Sequence, residues 1–458
     1  MPTPSTTGHA PTVRFAPKPA ILRIKKTNRD GSDSVSVKAL LETHCPSLFK
    51  AFQPTWWLFN GHLQTAYCVA NTFAKQNSIS YRRIHLKLAD GGTIGLDFAP
   101  ADQSRVRDNA PIVVIQHGLA GGSHEHYVRE VVDRVCAPPE DNGLGYRAVV
   151  INFRGCSDVP LTSQMFYSAG STDDTRQALI YLNYKYPDAP LIGLGFSLGA
   201  NLLTRYLGEE GERSKMVAGC VLGCPWDLTR NGESLVSSYI GRHVYSRAMA
   251  GGLMRLVRKH FVVLTKDPDH AVAIAARKAA LLQNPRLDEF DDTFTVIAGG
   301  SSPNFPFPNV MTFYDWVSSH NMLNHIRVPF LSINAEDDPV IKHVPLEDSD
   351  NELLTMVSTR HGGHLGWFQS GSQTLDRWTT KPVLEWIELM AQGISHEAKP
   401  HSTISIDENG FLREEGIPAL GCKVVTEMVL PPQSHPPDTW RLKIFPVFQS
   451  FASRHIWA

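Results

Sequence analysis

The stretch from Leu191 to Tyr206, LIGLGFSLGANLLTRY, limits what this chain can fold into more than any other. Leu191, Ile192 and Leu194 form a short apolar run that suits a buried strand. Ala200 to Tyr206 carries good helix formers with apolar residues at helical spacing, and Gly195-Phe196-Ser197-Leu198-Gly199 lies between the two. A strand that turns into a helix at one residue holds that residue in a strained backbone and presses its neighbours against adjacent chain. Glycine, lacking Cβ, escapes the clash at those neighbours. Ser197 would then project its hydroxyl above the sheet. In a chain with 34 glycines the pattern G-x-S-x-G also arises by chance, so the flanking strand and helix are what give it meaning.

Other segments supply a sheet for that strand to join. Pro111 to Gln116 (PIVVIQ) and Arg147 to Asn152 (RAVVIN) are near-continuous apolar runs, as expected of strands covered on both faces. Ala218 to Gly223, Pro329 to Ala335 and Leu353 to Ser358 read the same way. Helical stretches fall at His126 to Cys136, at Thr172 to Tyr186 with Asp173 and Asp174 in its first turn, and at Val383 to Met390. The class is therefore α/β, with a mostly parallel central sheet and helices on both faces. Arg82 to Leu88 alternates in polarity and turns at Asp90-Gly91-Gly92 into Thr93 to Phe98, a β-hairpin.

The 458 residues allow two domains or one large α/β domain with insertions and tails. We expect a core at residues 51–225 and 328–394, interrupted by a helical lid at 226–327 in which Phe294 to Ala298 is the strongest strand-like run. Residues 1–50 read as a basic arm, partly disordered or draped on the core, because the first 29 residues hold six cations, no acid and five prolines. Residues 395–458 read as a tail ending in Trp440, Phe445, Phe448 and Trp457. Phe52 to Thr65 packs aromatics around Asn60-Gly61 and reads as an anchoring segment.

Charge and cysteine usage exclude several functions. The 44 basic and 45 acidic side chains leave a net charge of -1, so no basic field for nucleic acid exists. The seven cysteines (45, 68, 136, 156, 220, 224, 422) are odd in number and scattered without a C-x-x-C pair, which indicates neither a disulfide framework nor a zinc site. A reducing, intracellular and cytoplasmic location is expected, with a lipid-droplet or organelle surface as an additional site. No apolar stretch reaches the roughly 18 to 20 residues that span a bilayer, so we expect no transmembrane segment. The loop HGLAGGS lacks G-x-G-x-x-G spacing and a P-loop lysine, and His361 and His364 stand outside any H-E-x-x-H; neither a cofactor nor a metal is expected.

A serine hydroxyl needs a histidine to take its proton and a carboxylate to hold that histidine in the right tautomer. Asp337-Asp338-Pro339 follows one late strand directly and His361-Gly362-Gly363-His364 follows the next. We take Asp338 as the carboxylate and His364 as the base. Either aspartate can instead cap backbone amides in the turn, and His361 is read as structural. The oxyanion of acyl transfer needs two backbone donors. Leu198 N–H follows the nucleophile, and Leu119 N–H lies in the loop after PIVVIQ, where Gly118 brings the chain close.

The motifs NGHLQT (60–65), HGLAGGSHEHYVR (117–129), NFRGCSD (152–158), GFSLGAN (195–201), DDP (337–339) and HGGHLGW (361–367) together resemble the α/β-hydrolase-4 family. That family includes fungal medium-chain fatty acid ethyl ester synthase/esterases and animal membrane-tethered lipid hydrolases. The resemblance spans about residues 52–390 and implies Ser197 as nucleophile, Asp338 as acid and His364 as base. It implies as partners a small-molecule acyl ester or acyl thioester, of a medium-chain acid or a glycerolipid, and an alcohol acceptor. A monoacylglycerol or phospholipid lipase at a membrane or droplet surface is the alternative, and a non-catalytic binding module the remote one.

Two features depart from the family. The transmembrane helix with which the animal members begin has no counterpart here, and the family's H-x4-D acyltransferase pattern occurs only as His343 to Asp348, away from the serine loop. In the lid, Met249, Leu253, Met254, Leu256, Val257, Phe261 and Val262 lie among Arg247, Arg255, Arg258 and Lys259. Such a face either touches a lipid surface or packs as a cap whose apolar side lines an acyl pocket.

Overall fold

Alternation of burial along each strand builds the core. On the strand Ile112–Gln116, Val113 and Ile115 join one apolar cluster while Ile112 and Val114 join another, and all four are fully buried. A strand buried on both faces belongs inside a sheet covered by helices on both sides. The computed structural model, which describes residues 8–25, 33–71, 73, 76–371, 375–395 and 403–432, has that architecture.

Six parallel strands stand side by side in the spatial order Arg147–Asn152, Ile112–Gln116, Leu191–Phe196, Met216–Leu222, Phe330–Ala335 and Leu354–Thr359. Helices His126–Cys136 and Thr380–Glu388 cover one face through Val128, Val131, Val383 and Trp386. Helices Asp173–Lys185 and Leu198–Glu210 cover the other through Leu179, Leu182, Leu203 and Leu207. From Ile112–Gln116 the chain steps to one side, to Arg147–Asn152, and then crosses to the other, to Leu191–Phe196. The loops leaving Gln116 and Phe196 therefore part at a point where strand order reverses, the place where open α/β sheets form a crevice.

The predicted hairpin, Tyr81–Leu88 with Thr93–Ala99, adds to the sheet antiparallel against Arg147–Asn152. It is clamped by a buried ion pair: Arg83 Nε donates to Asp97 Oδ1 and Nη2 to Oδ2, both at 2.6 Å, with the two side chains 3% and 0% exposed. Asp97 also accepts from Ser123 Oγ, and Arg83 donates to the Ser157 carbonyl, so the pair ties the hairpin to two loops at the carboxyl ends of the parallel strands.

Three expectations differ from the structure. The basic arm is largely built into the fold. Thr12–Phe15 pairs antiparallel with Leu354–Thr359, Ile21–Ile24 pairs with Asp33–Ser36, and Val37–His44, capped by Ser36, buries Val37, Leu40 and Leu41. A last parallel strand leaves an open row of backbone groups, and the arm fills it. The tail does likewise at the other edge, where Cys422–Leu430 pairs with Tyr81–Leu88 and leads the sheet on through Leu412–Glu414 and Ile404–Ile406. Trp440, Phe445, Phe448 and Trp457 lie outside the described residues. Phe294 to Ala298 is no strand: it lies in a wide π turn, Asp291–Thr295, and a short helix, Val296–Ala298. A short apolar run does not distinguish a buried strand from a buried helix; here Phe294 and Ala298 fill a helical cluster with Phe290, Ala275 and Val257. The chain between Leu222 and Phe330 is otherwise helical as well, including Leu228–Ser237, Ser246–Lys259, Ala271–Leu281 and Val310–Val317.

Replacing Arg83 by leucine will strand the Asp97 carboxylate in the core and cost about 3 to 5 kcal/mol. Urea unfolding should show that loss, and the double variant Arg83→Leu/Asp97→Leu should recover part of it.

Candidate active site

Ser197 sits at φ 53°, ψ -118°, between the last residue of Leu191–Phe196 and the first of Leu198–Glu210. That backbone is costly for a residue with a side chain, and packing enforces it. A Cβ on Gly199 would lie 2.3 Å from the Gln116 carbonyl oxygen and one on Gly195 2.7 Å from the Ala200 Cα, so both neighbours have to be glycine for the corner to close. The Ser197 N–H donates to the Leu222 carbonyl of the adjacent strand at 2.9 Å, which fixes the corner to the sheet.

The side chain meets a histidine. Ser197 Oγ is 2.8 Å from His364 Nε2, and His364 Nδ1 is 2.8 Å from Asp338 Oδ2. Asp338 is fully buried, and its Oδ1 accepts from Val340 N and Ile341 N at 2.7 and 2.9 Å. Because a carboxylate oxygen only accepts, Nδ1 carries the proton toward it, leaving the Nε2 lone pair for the serine hydroxyl. Asp337 points elsewhere: its Oδ1 accepts from Gly363 N at 2.9 Å and its Oδ2 meets His361 Nδ1 at 3.1 Å. The two aspartates thus divide the labour, Asp338 reaching the ring of His364 and Asp337 holding the backbone of the same loop.

The segment NGHLQT, read as an anchor, anchors this histidine loop. Asn60 caps Gly61–Ala70 by accepting from Leu63 N. A Cβ on Gly61 would lie 1.9 Å from the Asp337 carbonyl oxygen, so the helix start abuts the acidic turn. Thr65 Oγ1 accepts from His364 N at 2.8 Å, and Gln64 bonds both the Phe368 carbonyl and its N–H. The role of Thr65 was not legible in the sequence, since a threonine one turn inside a helix gives no hint of a partner 299 residues away.

The loop after Ile112–Gln116 supplies the second proposed donor. Its N–H groups on either side of Leu119 are taken, Gly118 N by Tyr127 Oη and Ala120 N by Tyr167 Oη, each at 3.0 Å. Leu119 N and Leu198 N have no protein acceptor among the described residues. Both residues line, with Ser197, a cavity of about 120 Å³ whose wall also includes Leu228, Leu235, Met249, Leu253 and Leu287. The apolar side of the lid helix Ser246–Lys259 thus reaches the cavity through Met249 and Leu253, while Val262 beyond it is exposed. His62 Nδ1 and Tyr245 Oη, 2.8 Å apart, tie the NGHLQT helix to the lid.

A fold with a strained serine corner, a histidine and an acid on later strands and an apolar cavity above the serine is the layout of an α/β-hydrolase. A family model described as the alpha/beta hydrolase fold matches residues 111–245. The chain is 31% identical over 343 residues to an abhydrolase domain-containing protein of Dictyostelium discoideum, covering 73% of this chain and 80% of that one. In Saccharomyces cerevisiae it is 28% identical over 416 residues to a monoacylglycerol lipase, covering 82% and 89%. It is 29% identical over 428 residues to medium-chain fatty acid ethyl ester synthase/esterase 2 of the same yeast, covering 79% and 91%. The chain belongs to the α/β-hydrolase family. Among the described residues no helix is long and apolar enough to cross a membrane, and no disulfide joins any of the seven cysteines.

His117, at the start of the Leu119 loop, is fully buried; its Nδ1 faces the Gly118 carbonyl and its Nε2 accepts from Phe153 N. Burial pushes its pKa from 6.5 down to about 4. Between those values the unfolded chain binds a proton that the native chain refuses, so this stability is present above pH 6.5 and lost as pH falls toward 4. From pH 7 to pH 4.5 the wild type should lose about 2 to 3 kcal/mol more than His117→Gln, read by urea unfolding at both pH values.

Proposed function

We propose that this chain is a serine esterase and acyltransferase that works through an acyl-enzyme on medium-chain fatty acyl esters or thioesters. The observation that carries the reading is the hydrogen-bonded line Ser197, His364, Asp338 opening on an apolar cavity. Ser197 Oγ attacks the acyl carbonyl while His364 Nε2 takes its proton, and the imidazolium is held by Asp338. Leu119 and Leu198 N–H groups receive the oxyanion. The proton then passes from His364 to the leaving alcohol or thiol, and water or a second alcohol, deprotonated by the same nitrogen, releases the acyl group as acid or ester. Hydrolysis and ester synthesis share this intermediate, and access of the acceptor against water divides them. The names of the two yeast relatives support an acyl ester of a lipid as substrate.

A second reading, a lipase working at a membrane or droplet surface, draws on the molecular surface. Trp56 and Phe59, 63% and 53% exposed, precede the helix that carries His62, and Tyr239 and Ile240, 78% and 45% exposed, precede the turn that carries Tyr245. The His62–Tyr245 contact joins the two segments that carry these side chains. Activity on an octanoyl ester that climbs steeply once substrate passes its solubility limit, and a climb flattened in Trp56→Ser/Tyr239→Ser, would favour this reading.

A fluorophosphonate probe should label the wild type and leave Ser197→Ala unlabelled; an unlabelled wild type sinks the serine mechanism. Asp338→Asn should lower kcat by about 10³ to 10⁴, by holding the wrong imidazole tautomer. Asp337→Asn should cost far less, and a reversed order would reassign the acid. Competition for labelling by ethyl octanoate and ethyl palmitate reads the chain length, with equal competition removing the medium-chain claim.

A further inference from the structure

Most of the cavity wall is apolar, yet two polar side chains stand in it with hydrogen-bonding capacity unused. Asn231 lines the cavity from the helix Leu228–Ser237 and is 6% exposed. Its Oδ1 accepts from Lys342 N at 2.9 Å and His343 N at 3.2 Å, which settles the amide orientation, because an NH₂ group cannot accept. The Nδ2 group is left buried and without a partner. An amide nitrogen in that state is costly to desolvate unless something else accepts from it.

Asp291 is the complementary group. It lines the same cavity from the π turn, is 6% exposed, and no lysine or arginine pairs with it among the described residues. Thr295 Oγ1 donates to its Oδ1 at 2.5 Å and Tyr314 Oη to its Oδ2 at 2.8 Å, one donor to each oxygen. A carboxylate has about four lone-pair sites, so each oxygen can accept once more. Burial also raises its pKa to about 6, the mark of a carboxyl short of solvation. The elements that carry the two groups meet in the lid: a Cβ on Gly232, next to Asn231, would lie 3.3 Å from Cε2 of Tyr314, the ring whose hydroxyl holds Asp291.

An unused donor and an unused acceptor in the wall of one cavity are the complement of a hydroxyl, which accepts through its oxygen and donates through its hydrogen. Water could meet both groups but would bring no selectivity. An ester of a simple alcohol has acceptor oxygens but no donor, so on entry it leaves Asp291 without the hydrogen bond a hydroxyl would give.

We propose that Asn231 and Asp291 form a hydroxyl-reading subsite, so that the cavity selects acyl esters bearing a free hydroxyl over the same acyl group esterified to a simple alcohol. The proposal rests on the serine-esterase reading and narrows its substrate class. The hydroxyl can come from the alcohol half, as in a glycerol monoester, or from the acyl half, as in a hydroxyacyl ester. The chemistry at the subsite is the same for both.

Three probes of equal chain length separate the sources: monooctanoylglycerol, ethyl 3-hydroxyoctanoate and ethyl octanoate. The wild type should favour one of the hydroxylated esters over ethyl octanoate by about tenfold or more in kcat/KM, each value scaled to the ester's alkaline hydrolysis rate. Preference for monooctanoylglycerol places the hydroxyl on the alcohol half, and preference for the hydroxyacyl ester places it on the acyl half. Asn231→Asp keeps an acceptor for Lys342 and His343 N–H while removing the donor, and Asp291→Asn removes the charge at constant shape. Each should cut the selectivity ratio at least fivefold, whatever happens to the absolute rates. A wild-type ratio near one overturns the proposal without any variant, as does a ratio unchanged in whichever variants fold. Fluorophosphonate labelling of the wild type, run alongside, isolates failure of the serine reading from failure of this one.

Discussion

The hydrogen bond between Ser197 and His364 spans 167 residues of sequence and is the contact on which the geometry of the site turns. It closes only if the loop after the sixth parallel strand stands at the right height above a corner built three strands away. Three contacts set that height. Asp337 holds the Gly363 N–H, Thr65 holds the His364 N–H, and Gly61 lets its helix come against the carbonyl of Asp337. None touches the reacting atoms, and each narrows the positions open to the imidazole. A ring misplaced by an ångström loses its hydrogen bond to the serine, so rigidity in this shell translates directly into chemistry.

The lid answers a different demand. The helices between Leu222 and Phe330 line the space above the serine with leucines, methionine and phenylalanine while admitting two polar side chains, Asn231 and Asp291. Such buried polar groups are expensive when unsatisfied, and an apolar substitute at either position would pack at lower cost. The wide π turn that presents Asp291, and the hydroxyls of Thr295 and Tyr314 that hold it, show a carboxyl kept in place by several contacts at once.

Legibility in the sequence followed the range of the interaction. The parallel strands, the hairpin and the covering helices appeared close to their observed bounds, because burial on two faces writes a continuous apolar run and amphipathic packing writes a helical period. The serine corner was legible for the same reason, since its strain is local and calls for glycine on both sides. Asp338 is preferred to its identical neighbour Asp337 without a local physical reason, and the fold supplies one by turning Asp338 toward the His364 ring and Asp337 toward the Gly363 N–H. The edge strands were missed because pairing at a sheet edge is backbone to backbone and leaves little trace in side-chain pattern: Thr12–Phe15 has a residue of nearly every character. Phe294 to Ala298 misled because a short run of four apolar residues and one threonine suits either geometry.

By itself the sequence determined the α/β class, the strand-turn-helix corner at Ser197 and the chain order of serine, acid and histidine, all of which arise from near-neighbour sterics and from hydrophobic periodicity. Only the tertiary structure decided which aspartate faces His364, that both terminal segments complete the sheet, and that Asn231 and Asp291 share one cavity. Those outcomes depend on groups far apart in the chain being brought together, and a contact of that kind has no period and no local signature from which to read it.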